Sequence, residues 1–328
     1  MVAKKSSASS ANSASIFAAA PGSTRDAASV TQIGKVDLPS SYTSLVSFHL
    51  GDGAYIGGYG PSKATLDLFE VSAKSPWLKP VKAGPEIGTG KDILNVFVLG
   101  DRPHICAYTK KNGVFETYSF ADDLTFTTKA PYKFYRNHEL ATSQNFSTVK
   151  FFTQFSAWAG QQVVFIGYRD DTGYVGMYTA GLAATATSAG VPSILMLPVW
   201  SHTWAPGWTR FAFFNLGGEA FFLKTNTKKL NVNIDHVQDT LASGTLEVGT
   251  QLQSQLPDAA NLTHVEPLIF TNGEPWFVTY KASSGDATVN RIHGDCLGWT
   301  QGASFKAPAA AANVTSIAAD GQTLVIFA

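Results

Sequence analysis

The residues best suited to chemistry fall in three places along the 328-residue chain. His264 and Glu266 stand two apart in a β-branched and aromatic run. In a strand, residues two apart share a face, so an imidazole and a carboxyl could act there together as general acid and base. Such a pair also reads as a hydrogen-bonded structural unit, the commoner role. Asp92, Lys150 and Arg210 begin comparable runs, and alternation lets only about half of such residues see one face. The catalytic candidates are therefore His264, Glu266 and Arg210.

The second place is residues 132–139, Tyr-Lys-Phe-Tyr-Arg-Asn-His-Glu, with Tyr135, Arg136 and His138 as candidate ligand-binding side chains. The third is residues 199–208, Val-Trp-Ser-His-Thr-Trp-Ala-Pro-Gly-Trp, with Trp200, His202 and Trp204. Aromatic faces beside donors and charges suit a sugar ring or a flat organic ligand. The plainer alternative makes Trp200 and Trp208 packing residues and the charged run a solvated loop.

Other chemistries lack their motifs. Residues 84–92, Gly-Pro-Glu-Ile-Gly-Thr-Gly-Lys-Asp, approach a phosphate loop but miss it. The first glycine is one residue too distant, Asp92 replaces the magnesium-binding hydroxyl, and no helix follows; an inter-blade turn is the better reading. No His-Glu-x-x-His, Cys-x-x-Cys or Asp-x-Asp-x-Asp pattern is present, so no metal site is expected. Asp122-Asp123 and Asp170-Asp171 read as turns, and Gly-x-Ser-x-Gly is absent. No cofactor is expected.

Basic and acidic residues cancel at 24 each, which removes the global field that would draw the chain to nucleic acid. Charged residues make up 15% and apolar ones 45%, a balance that fits a compact, glycine-rich β protein. Residues 1–14, rich in Ser and Ala, read as a disordered leader before a single domain over 15–328. The apolar run at 16–20 is too short for a signal segment, and no stretch is long enough to span a membrane. A cytoplasmic location is the default expectation, and membrane insertion is not expected. Cys106 lies in an apolar strand and Cys296 in a loop; a buried thiol and an incidental one are expected, and pairing would require their blades to adjoin. Asn145, Asn261 and Asn313 head Asn-X-Ser/Thr triplets, each just before a strand, where a turn role explains them as well as glycosylation does.

The elements that must hold these residues form a repeat. The clearest unit is residues 273–280, Gly-Glu-Pro-Trp-Phe-Val-Thr-Tyr, between strand-like runs at 263–270 and 287–292. Related segments occur at 53–59, 101–108, 161–168, 218–225 and 321–327, spaced by roughly 48 to 60 residues, the size of a four-stranded propeller blade. Each follows a run that starts with Thr43, Asp92, Thr148, Thr209, Thr263 or Thr315. Polar turns at 110–113, 170–173, 226–229 and 283–286 predict a third strand, and 193–197 and 297–300 are candidate fourth strands. The last unit has two strands only; runs at 15–20 and 31–38 would complete it and close the ring. An all-β, six-bladed propeller is predicted.

Tandem Gly-x-Pro/Ala-x-Phe/Leu…Tyr hairpins over 31–328 resemble tectonin-type and fungal fruit-body lectin propellers. That resemblance is architectural, and it implies carbohydrate binding. Those lectins repeat their binding residues in every blade, whereas here Asp92 departs from Thr148, Thr209 and Thr263 and the rich segments occur once each. One asymmetric pocket for a small molecule or glycan is the expectation that follows. The alternative is a cofactor-independent enzyme resembling fungal hetero-Diels–Alder propellers, in which shape and a few hydrogen bonds suffice. A protein-interaction scaffold is the third reading.

Overall fold

The structure, a computed structural model, describes residues 12–39, 41–81, 84–121, 133–142, 144–156, 160–186, 190, 192–240, 245–270 and 273–328. Met1–Ala11 of the expected leader, Asp122-Asp123 and Tyr132 lie outside them. Among the described residues, 24 strands form six four-stranded sheets, each a blade. A short 3-10 turn, Pro257–Asn261, is the other regular element.

The first strand of each blade lines the channel: Ser44–Leu50, Ile93–Leu99, Thr148–Ser156, Trp208–Leu216, His264–Ile269 and Val314–Ala319. The blades are numbered one to six in that order. In the sixth, Ser13–Pro21 lies between Gln322–Phe327 and Ala28–Asp37, with Ile16 opposite Ile326. Both chain ends thus complete one sheet, and no open blade edge remains at the junction. Arg291 fastens this closure. Its side chain is 6% exposed and bonds Asp26 at 2.7 Å and Glu274 at 3.2 Å, tying the turn before Ala28–Asp37 to the fifth blade.

The sequence pattern follows from sandwiching. Second strands such as Arg102–Thr109, Glu219–Asn226 and Pro275–Lys281 touch a neighbouring blade on both faces, so they are buried almost throughout. Their near-continuous apolar runs are what made the repeat visible. Apolar residues of facing blades form the core clusters, such as Phe152, Ile166 and Tyr168 with Phe211 and Phe222 between the third and fourth blades.

The tyrosine that closes these segments does more than fill space. Tyr59 donates to the Gly88 carbonyl and accepts from the Lys91 amide; Tyr108 accepts from Phe146, and Tyr168 donates to Ala205. Tyr280 donates to Pro308 at 2.5 Å and accepts from Ala311 at 3.0 Å. Each hydroxyl therefore satisfies buried backbone in the connection to the following blade. Tyr280→Phe is expected to cost about 2 kcal/mol, since it strands both groups without shrinking the ring. Urea unfolding measures this; an unchanged midpoint would rule the role out.

At the head of the inner strands Thr43, Ser147 and Thr263 each bond a second-strand tyrosine carbonyl through hydroxyl and amide. In the third blade Ser147 holds this place, one residue before the expected Thr148. Asp92 meets it with a carboxylate, accepting from the Lys110 amide at 2.7 Å. Cys106 and Cys296 are both buried and unpaired. Burial pushes the Cys106 thiol far up and the Cys296 thiol to about 11, which makes both unreactive. Asn313 donates to the Tyr42 carbonyl from a buried position, whereas Asn145 and Asn261 are exposed.

Candidate functional site

Inner strands of adjacent blades splay apart around the channel, so part of their backbone needs side-chain partners. Ser47 donates to the Ser316 carbonyl, Ser316 to Pro267, and Asn95 to Val149, each at 2.8 Å. These bonds fix the inner strands relative to one another and hold the channel wall.

Into one mouth of the channel project Lys150 of the third blade, Arg210 of the fourth, and His264 with Glu266 of the fifth. They line a cleft of about 540 Å³, whose far side is formed by Ala310, Ala311 and Ala312. Lys150, Phe211, His264 and Glu266 also border the next compartment, about 360 Å³, together with Ser47 and Asn95. A third space of about 400 Å³ near the opposite end shares Ser47, Phe213 and Pro267 with it. The three share lining residues along the channel; Lys150, Arg210, His264 and Glu266 gather at one end, and His49 lines the other.

Lys150 Nζ lies 3.7 Å from Glu266 Oε2. Loss of water around Glu266 raises its carboxyl above the ordinary range, while Lys150 and Arg210 pull it back down. Burial also lowers the Arg210 guanidinium, against the pull of Glu266. His264 is pushed down to about 4, by burial first and then by repulsion from Arg210 and Lys150. It is therefore an uncharged imidazole at neutral pH. Arg210 Nε and His264 Nδ1 are buried without hydrogen-bond partners. Two basic side chains face one carboxyl, and two nitrogens have unused capacity. That combination favours an anionic or hydroxyl-rich ligand. A raised carboxyl beside a depressed imidazole is also the separation that acid–base chemistry requires.

The three catalytic candidates thus converge. The expected binding residues do not join them. Tyr135, Arg136 and His138 belong to Phe134–Ala141, and Trp200 and His202 to Pro192–Thr203, the outermost strands of the second and third blades. Three strand spacings put such a strand about 14 Å from the inner one. These segments were expected to supply the ligand pocket; the inner strands of the third and fourth blades start only afterwards, at Thr148 and Trp208. An exposed outer strand mixes polar and aromatic residues, as a loop does, and that misled the reading.

Arg136 and Trp204 also have other partners. Arg136 pairs with Glu139 and, at 3.3 Å, with Glu116, which also holds Lys91. Lys91 belongs to the glycine-rich segment 84–92, so its amine is committed to a neighbouring blade. Burial lowers the His138 imidazole. Trp204 packs within the core cluster of the third and fourth blades, where Lys224 Nζ sits 3.5 Å from its ring centre. Lys150, Ser47 and Asn95 complete the channel site. Alternation from His264 and Glu266, applied to every inner strand, selects Lys150 and Asn95, but Ser47 is out of phase with them and only the structure places it in the channel.

No family model matches the chain, and no curated protein matches it. Solved structures do resemble it. One is a candidate 6-phosphogluconolactonase from Bacteroides fragilis, 10% identical, with a TM-score of 0.53 over 96% of this chain and 87% of that one. A second, from Bacteroides uniformis, is 11% identical, with a TM-score of 0.51 over 92% and 85%. An exo-β-1,3-galactanase from Phanerochaete chrysosporium is 10% identical, with a TM-score of 0.47 over 85% and 68%. At these identities the likeness is one of fold. It establishes the propeller, while the neighbours named are described as enzymes of sugars and sugar lactones, not as tectonin-type lectins.

Proposed function

We propose that the chain is a ligand-binding propeller with one asymmetric site at the channel mouth, and that its ligand is an anionic sugar derivative such as a sugar acid or sugar phosphate. The observation that carries this is the meeting of Lys150, Arg210 and His264 around Glu266, with Arg210 Nε and His264 Nδ1 unpartnered. Ligand oxygens would meet Arg210 and Lys150 as charge-assisted acceptors, and the neutral imidazole would accept from or donate to a hydroxyl. The two Bacteroides neighbours, described as candidate 6-phosphogluconolactonases, share the fold and agree in ligand class.

Calorimetric titration with gluconate, 6-phosphogluconate, gluconolactone and neutral glucose tests this reading. The anions should bind more tightly than glucose. Arg210→Gln should weaken them about 10- to 100-fold, the weight of one hydrogen bond to a charged group. Equal silence from all four, or binding indifferent to Arg210→Gln, would sink the proposal.

A second reading has its own observation, the opposed displacements of Glu266 and His264. It makes the site an enzyme that needs no cofactor, acting on a small organic substrate with Glu266 as proton donor and His264 as acceptor. Glu266→Gln would then abolish turnover while leaving anion binding intact or tighter. Loss of both together would favour the purely binding role.

A further inference from the structure

The pseudo-symmetry of the blades exposes a second site, separated from the channel mouth by Val265, which lines both. At the junction of the sixth and first blades the residue before the inner strand's lead-in, Tyr42, lays its ring on Gly58. At the junction of the second and third, Phe146 does the same on Gly167. A Cβ on Gly58 or Gly167 would come within 2.7 Å or 2.5 Å of those rings, so glycine is what lets the aromatic fill each junction.

Between the fourth and fifth blades both partners change. Leu262 takes the place of the ring, and Thr279 that of the glycine. A cleft of about 200 Å³ remains there. This exceeds the roughly 150 Å³ that holds a benzene ring in an engineered apolar cavity. Its floor is Leu223, Phe277 and the Trp299 indole, and its wall carries Thr225, Thr288 and Asn290.

The wall is built for hydrogen bonding. Thr279 and Thr288 hydroxyls lie 2.6 Å apart, and Asn290 Nδ2 donates to Thr288 Oγ1 at 2.9 Å. Thr225 is 1% exposed, lines the cleft, and its hydroxyl has no hydrogen-bond partner. A buried hydroxyl without a partner is costly, and Val would fill the same volume without that cost. At the rim Lys281 pairs with Asp258 at 2.8 Å, so the charges there cancel.

We propose that this cleft between the fourth and fifth blades binds a small neutral cyclic polyol, a molecule of one six-membered ring. The C–H face of the ring lies on Phe277 and Trp299, and its hydroxyls complete the bonding of Thr225 and of the Thr279–Thr288–Asn290 chain. Neutral charge follows from the balanced rim, and ring size from the volume.

Titration of the full chain with myo-inositol and with glucose, followed by Trp fluorescence and by amide and indole NMR shifts, tests the proposal. Saturable shifts at Trp299 that persist in Lys150→Gln support it, because Lys150 stands on the third blade and lines the channel but not this cleft. Thr225→Val should weaken the polyol about 5-fold, one neutral hydrogen bond's worth, while raising the melting temperature of the unliganded protein. Gln301→Ala at the exposed rim offers a milder second variant, with a smaller loss expected. No saturation through tens of millimolar, or affinity unaltered by both substitutions, overturns the site. Binding of phenol with no response to either polyol overturns the ligand class.

Discussion

Lys224→Ala should destabilise the protein by about 3–5 kcal/mol, the usual consequence of stripping a buried ion pair of one partner. Lys224 and Asp235 have side chains 4% and 1% exposed and bond each other directly in the fourth blade. The ammonium lies 3.5 Å from the centre of Trp204 and 4.6 Å from that of Trp208. Truncation would leave the Asp235 carboxylate in the core with no counter-charge. Lys224→Met combined with Asp235→Leu should recover most of the loss, because well-packed apolar residues replace such pairs with little penalty. Urea unfolding of the three proteins decides the matter. A double variant no more stable than the single one would mean that packing, and not the orphaned charge, dominates. The pair also accounts for Trp204 and Trp208: their faces stabilise an internal cation, a service that their spacing in sequence could not distinguish from ligand stacking.

Acid should weaken the fold through His104. Its side chain is 2% exposed, stacks 5.0 Å from the Phe97 ring and bonds the Arg102 carbonyl at 3.0 Å. Burial pushes it down to about 4 from its usual 6.5. Between those values the unfolded chain takes up a proton that the native protein refuses. Stability is therefore complete above about pH 6.5, falls by about 3 kcal/mol as pH drops to 4, and levels off below. His264 acts in the same direction but keeps some contact with water, so its share is smaller. Glu266 opposes both: its raised carboxyl holds a proton that the unfolded chain has already lost, which adds stability as pH falls through that range. Unfolding His104→Phe at about pH 7 and pH 4 isolates the first contribution. The gap between the two pH values should narrow by about 3 kcal/mol relative to the parent; an unchanged gap would assign the acid sensitivity elsewhere.

Much of the fold was legible because its signals are local. The run 273–280 drew attention as a motif and proves to be scaffold: Trp276, Phe277 and Tyr280 are 0%, 3% and 0% exposed. Its apolar density comes from lying between two blades, and its tyrosine from the backbone that must be satisfied beyond it. Similar pressure acts on the second strand of every blade, so the repeat could be read without homologues. Outer strands feel less of it: 193–197 was legible as a fourth strand, but its continuation from Val199 to Thr203 and residues 134–139 were read as loops.

The site divides along the same line. His264 and Glu266 were recognisable as companions because alternation along one strand is a property of the backbone. That Lys150 and Arg210 meet them, 114 and 54 residues before His264 in the chain, depends on the curvature by which three blades turn their first strands toward one axis. The cleft above Thr225 depends on it too, since it exists only where Leu262 and Thr279 stand in for a ring and a glycine at a junction between blades. Strand, turn and repeat are set by neighbours in sequence. Which side chains share a space is set by ring closure, and that geometry belongs to no single stretch of the chain.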